Sequence, residues 1–188
     1  MKKILLAATL VAACTTANAQ VWLGGYATYS NNTSKNDISK TESTYRTISF
    51  QPTIGYDLNE DWSIYATVEL GQHSNTYKNL SNSDSWDNNY GLGLYARRYW
   101  GVADKLRLYM RGGASYAINH VHGESENGQT IGIVFGPGAS YKLTDHISLE
   151  ANFGSLNYTH RSTKRNGTQT LNDIELHTTV GLGVAYYF

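Results

Sequence analysis

The sequence predicts an all-β fold, an eight-stranded antiparallel up-and-down transmembrane β-barrel. Three observations predict it. Eight strand-like segments follow one another along the 188 residues. The connectors between them alternate between tight turns and long polar stretches. Within each segment one set of alternate residues is apolar and the other is small or polar, as expected when only every second residue faces lipid.

The N-terminus comes first. Met1-Lys2-Lys3 is a short basic region, Ile4 to Ala13 is apolar, and Ala17-Asn18-Ala19 places small residues where a signal peptidase reads them. Residues 1–19 are therefore expected to be a cleaved secretory signal, with 20–188 as a single barrel domain. The apolar run is too short for a spanning helix, which needs about 20 residues. A competing reading takes Val11-Ala12-Ala13-Cys14 as a lipoprotein box with Cys14 lipidated. Strand-like sequence starts at Val21 and leaves little room for a tether, which favours cleavage after Ala19. Cys14 is the sole cysteine, so that cleavage leaves a chain without disulfides or Cys-based metal or redox sites.

The eight segments run over about 21–30, 45–57, 62–72, 89–100, 106–119, 130–142, 147–158 and 174–188. Most reach the ~9–11 residues that a tilted strand needs to cross a bilayer. Residues 58–61, 101–105 and 143–146 are tight turns. Residues 31–44, 73–88, 120–129 and 159–173 are expected to be long loops rich in Asn, Ser, Thr, Lys and Gly. Short turns at one end and long loops at the other define the up-and-down plan, with the short side periplasmic.

Outward faces follow from parity. Ile48, Phe50, Pro52, Ile54 and Tyr56 share one face of the second segment, opposite Ser49, Gln51, Thr53 and Gly55. The third pairs Trp62, Ile64, Ala66, Val68 and Leu70 against Ser63, Tyr65, Thr67 and Glu69. The polar sets have no water to satisfy them if they face hydrocarbon, so they are assigned to the lumen. Tyr56, Trp62, Trp100, Tyr141, Tyr186 and Phe188 gather at the short-turn end of the outward faces, as an interfacial aromatic girdle does. Arg98 fits badly, because it has the parity of Leu94 and Trp100. Snorkelling to the periplasmic interface, or a bulge that resets the register, would accommodate it.

Composition excludes some classes. Without residues 1–19 the chain holds 13 Lys+Arg against 15 Asp+Glu, and no basic stripe suits nucleic acid. Tyr is abundant at 15 while Pro is rare at 2.

The last segment alternates Leu176, Thr178, Val180, Leu182, Val184, Tyr186 and Phe188 with small or polar residues and stops on Phe188. With the eight segments, this resembles the small outer-membrane barrels of the OmpX and OmpA-transmembrane-domain type. Tyr95-Ala96-Arg97-Arg98-Tyr99-Trp100, a short turn, and Leu106-Arg107-Leu108-Tyr109 are also similar to the middle of porin-family, outer membrane β-barrel domain proteins. The resemblance covers residues 20–188. It implies a cell outer-membrane location, contact with outer-membrane lipids and lipopolysaccharide, and Phe188 as a signal to the barrel-assembly machinery. It leaves activity open, since members of a fold differ in function.

Three groups could carry chemistry. The inward parity gathers Glu69, Arg97, Arg107, Arg111, Lys142, Glu150 and Glu175. Depth places Glu69, Arg97, Arg111 and Glu150 together near the lower middle, as lumen-filling ion pairs or as a gated path. His120 and His122 with Glu124 and Glu126 form a conceivable cation set, although such residues near a strand end are more often plain polar ones. His160-Arg161-Ser162 followed by Glu175 is similar to the His-x-Ser arrangement of lipid A deacylase barrels, in which His activates Ser and a carboxylate orients His. Thr163 departs from that pattern, and His160 and Ser162 have inward parity if the strand runs on. The expectation is a non-enzymatic barrel, with no cofactor, whose structural or surface-interaction role is exercised through four long extracellular loops toward an unspecified ligand. A lipid A acyl hydrolase using His160, Ser162 and Glu175, and a narrow porin, are the alternatives.

Overall fold

The computed structural model describes residues 20–36, 41–78, 85–121, 128–164 and 168–188. Residues 1–19, where the sequence reading places a secretory signal and Cys14, and the tips of the four long connectors lie outside the described residues. Eight strands follow in order: β1 (Val21–Asn36), β2 (Thr41–Asp57), β3 (Trp62–Lys78), β4 (Ser85–Ala103), β5 (Leu106–Val121), β6 (Gly128–Lys142), β7 (Ile147–Lys164) and β8 (Thr168–Tyr187). Each pairs antiparallel with its sequence neighbours, and β8 returns to β1 to close the barrel. The closing seam is short. It runs from Trp22↔Tyr187 to Ala27↔Leu182, whereas β1 and β2 pair along their whole length, from Val21↔Tyr56 to Asn36↔Thr41.

Alternation decides which side chains meet lipid. Ile48, Phe50 and Ile54 on β2, Leu92 and Leu94 on β4, and Ile131, Ile133 and Phe135 on β6 are exposed. On the opposite face, Thr53, Tyr95, Arg97, Tyr99, Ser140 and Glu150 are buried. The apolar outer face ends, strand by strand, at Asn31, Arg46, Gln72, Asn88, His120, Gln129, His160 and Asn172. From Trp100 to Tyr90 the belt spans ten residue steps, about 25 Å at ~3.3 Å per residue and ~40° tilt, the height of a barrel's apolar band.

Much of what the sequence assigns to long loops is strand. β3 and β4 pair as far as Asn75↔Ser85, and β7 and β8 pair as far as Lys164↔Thr168. Above the belt both faces of a hairpin meet water, so the apolar alternation that marks a strand disappears while the ladder continues. The segment around His160 is accordingly an ordered strand and not a connector.

One bulge changes the parity of β7. Between Phe135 and Gly138 the β6–β7 register slips, and between Phe153 and Ser155 the β7–β8 register slips. Gly154 sits there at φ 81°, a conformation that suits glycine. Below it Ser148, Glu150 and Asn152 face the lumen. Above it Leu156 and Tyr158 are the exposed, outward residues, and Asn157 and Thr159 turn inward opposite Val134 and Gly132.

Arg98 does face outward at the girdle. Its guanidinium carbon lies 5.8 Å from the Trp62 ring centroid and 5.4 Å from that of Trp100. Two girdle tryptophans thus hold the charge at the short-turn rim, where its cost is small.

Candidate functional site

The lower lumen is filled by one cluster. Arg97, on β4, is fully buried, and Glu150, on β7, is 3 % exposed. Arg97 Nη1 donates to both Glu150 oxygens at 2.9 Å and to the Tyr99 hydroxyl at 3.2 Å. Arg97 Nη2 donates to the Tyr26 hydroxyl, which in turn donates to Glu150 Oε2. The guanidinium carbon stands 4.2 Å from the Tyr65 ring centroid, 4.9 Å from Tyr109, 5.0 Å from Trp22 and 5.7 Å from Tyr26. A desolvated charge pair is costly unless its geometry and hydrogen bonds are complete. Here the two terminal guanidinium nitrogens are hydrogen-bonded and four aromatic faces surround the charge, while Arg97 Nε is buried without a hydrogen-bond partner among the described residues.

Inward glycines make room for the rings. A Cβ at Gly55 would lie 2.0 Å from the Trp22 indole, and one at Gly138 would lie 2.2 Å from the Tyr109 ring. Beneath the pair, Trp22 Nε1 donates to Asp57 Oδ1 at 3.0 Å and Ser63 Oγ at 3.2 Å. Tyr109 donates to Asn152 Oδ1 at 2.9 Å. An eight-stranded barrel has an interior just wide enough for such side chains.

The four-charge cluster expected from depth does not assemble. Arg97 and Glu150 meet, but Glu69 instead accepts from the Tyr95 hydroxyl at 3.0 Å. Arg111 lies opposite Arg97 in register, and among the described residues no carboxylate pairs with it. Its Nε is buried without a hydrogen-bond partner among those residues. Depth along a strand fixes height but not azimuth, and Glu69 stands two strands away from Arg111 around the wall. The other inward charges stay local. Arg107 caps the Tyr99 ring at 4.3 Å, and Lys142 bridges Asp145 at 3.2 Å at an exposed turn.

His160 and Ser162 face outward, contrary to the parity of an uninterrupted strand. The Gly154 bulge turns them over, and they register with Ile131 and Gln129 on the lipid side of β6. Glu175 registers with Asn157, on the lumen face, and accepts from His177 Nε2 at 3.0 Å. The barrel wall therefore separates the carboxylate from His160. Asn172 takes its place: His160 Nδ1 donates to Asn172 Oδ1 at 2.7 Å, and the Tyr158 hydroxyl donates to the same oxygen at 3.2 Å. An amide oxygen orients an imidazole but does not stabilise the imidazolium as a carboxylate does.

His120 lies at the top of the outer face of β5. His122, Glu124 and Glu126, the rest of that cation set, lie outside the described residues. Phe188 packs edge-on against Tyr186 at 5.2 Å, and its amide donates to Val21 O at 3.1 Å.

The profile of the outer membrane protein beta-barrel domain family matches residues 4–188. The chain belongs to this family. It is an outer-membrane barrel. No curated protein matches. Among solved structures, it is similar to the outer membrane protein OprG from Pseudomonas aeruginosa, with a TM-score of 0.58 and 19% identity over 92% of this chain and 96% of that one. It is also similar to Neisserial surface protein A, with a TM-score of 0.51 and 18% identity over 92% and 98%. A major outer membrane protein from Thermus thermophilus gives a TM-score of 0.53 and 13% identity over 92% and 100%. Such likeness concerns the fold.

Proposed function

We propose that this chain is a non-enzymatic outer-membrane barrel whose surface role is carried by the four hairpins above the lipid belt. The observation that carries this reading is the continuation of paired strands past the belt. β3 and β4 rise beyond Gln72 and Asn88, where the apolar alternation has ended, and stay in register to Asn75↔Ser85. Paired strands above the belt present a preformed polar surface, which lowers the ordering cost of binding a surface ligand. Separation of Glu175 from His160 by the wall weighs against a serine hydrolase. Packing of Arg97, Glu150 and the surrounding aromatic rings across the lower lumen weighs against an open pore.

The test uses cells that display the protein. Replacing residues 37–40, 79–84, 122–127 and 165–167 with Asn-Gly turns leaves the belt and lumen untouched, so the barrel still assembles and migrates differently before and after boiling. Adherence of the cells to a panel of immobilised serum and extracellular-matrix proteins falls with the tips removed. Adherence that is unchanged, or absent for the parent, contradicts the surface role.

A further inference from the structure

The Gly154 bulge opens a groove in the outer wall. Phe135, Pro137, Phe153, Leu156, Leu176 and Val180 line it, around a volume of about 370 Å³. It faces the membrane, because Phe135, Phe153, Leu156, Leu176 and Val180 all belong to the exposed outer set. Pro137 cannot donate to the ladder at that height, so the slip in β6–β7 pairing and the indentation coincide.

Directly above, on the same three strands, the outer face turns polar. Tyr158, His160 and Asn172 form one hydrogen-bonded group. Gln129, Ser162 and Thr170 share a register row one step higher. From Ile147 to His160, with one residue consumed by the bulge, β7 climbs about 30 Å at ~3.3 Å per residue and ~40° tilt, the thickness of a hydrocarbon core. His160 thus stands at the outer-leaflet interface. From Phe153 to His160 the rise is about 15 Å on the same geometry, one leaflet.

We propose that β6, β7 and β8 form a binding site for an acylated amino-sugar lipid of the outer leaflet. One acyl chain lies in the groove, and the sugar is hydrogen-bonded by His160, Asn172 and Tyr158. The groove supplies a recess in the outer wall lined mainly by apolar side chains. The headgroup patch supplies neutral donors and acceptors: amides, hydroxyls and an imidazole. Those groups suit sugar hydroxyls and acyl amides. A phospholipid headgroup offers one phosphate and a small amine or glycerol, and neither sugar hydroxyls nor acyl amides, so it leaves most of these neutral groups unmatched.

The test is lipid retention by the full barrel, released from detergent and weighed intact by native mass spectrometry. The probes are monophosphoryl lipid A, phosphatidylethanolamine and phosphatidylglycerol at equal concentration. The parent retains one lipid A at least tenfold over either phospholipid. Thr178→Trp, which fills the groove from the lipid side, and the double variant His160→Ala/Asn172→Ala each reduce that retention about tenfold. Both variants keep their heat-dependent gel shift, which separates loss of the site from loss of folding. Equal retention of phospholipids, no retention, or lipid A retention unchanged in both variants overturns the proposal. The adherence test above does not depend on this lipid, so the two readings fail separately.

Discussion

Replacing Glu150 with alanine leaves the Arg97 guanidinium charged, dry and without its counter-ion. Removing one partner of a buried pair costs about 3–5 kcal/mol. Arg97 keeps its donor bonds to Tyr26 and Tyr99 and four aromatic faces within 6 Å. Each cation–π contact of this kind is worth roughly 0.5–2 kcal/mol when desolvated, and all of them survive the substitution. The expected loss is therefore at the lower end, about 3 kcal/mol, or roughly a hundredfold in the folding equilibrium constant. Glu150→Gln keeps an acceptor for Nη1 but not the charge, and loses about half as much. The double variant Arg97→Met/Glu150→Leu removes both charges at similar volume and returns to within about 1 kcal/mol of the parent. Urea unfolding of the barrel in lipid vesicles, followed by tryptophan fluorescence, measures all three. Alanine at 150 with stability unchanged within about 1 kcal/mol, or a double variant as unstable as the sum of its singles, refutes the account of the plug.

Other perturbations give further expectations. Arg111→Met removes a like charge opposite Arg97 and leaves stability unchanged or raises it by up to about 1 kcal/mol in the same urea assay; a loss above about 2 kcal/mol contradicts the reading that Arg111 has no carboxylate partner among the described residues. Gly154→Ala places a Cβ 2.2 Å from the His177 carbonyl oxygen in a positive-φ backbone, and is expected to cost more than about 2 kcal/mol by urea unfolding, whereas Gly101→Ala, with open space around it, costs under about 1 kcal/mol. Amide exchange in micelles is faster at Asn172–Thr178 than at the facing β7 residues' β6 partners, because β1 pairs with β8 only below Ala27↔Leu182; uniform protection along β8 contradicts the short seam. Phe188→Ala slows insertion into the outer membrane in pulse-chase without changing final stability by more than about 1 kcal/mol; an unchanged rate removes its role as an assembly signal.

Much of the fold is legible because lipid and lumen impose opposite chemistry on successive residues. Ile48, Phe50 and Ile54 against Thr53 and Gly55 fix both strand and face without any tertiary information. The signal weakens where that contrast ends. Above Gln72 and Asn88 both faces are wet, so paired strands have the composition of loops. The bulge leaves a trace that strict alternation passes over. Ile147, Leu149, Ala151 and Phe153 step by two, but the next apolar residue is Leu156, three on, with Gly154 between. An isolated glycine in a strand marks a bulge, and that single step reverses the facing of His160 and Ser162. The lumen pair is half legible. Parity and depth put Arg97 and Glu150 at one height with Glu69 and Arg111, but partner choice depends on azimuth and on rings that arrive from β1, β3 and β5. Tyr26, Tyr65 and Tyr109 have inward parity in the sequence, yet nothing local says that they converge on one guanidinium.

Single-channel recording of the purified barrel in planar bilayers tests the closed lumen most directly. The Arg97–Glu150 cluster and its rings predict no steady conductance steps for the parent protein across the voltage range the bilayer withstands. Large, long-lived openings in the parent would contradict a plugged lumen and with it the choice of a surface role over a pore.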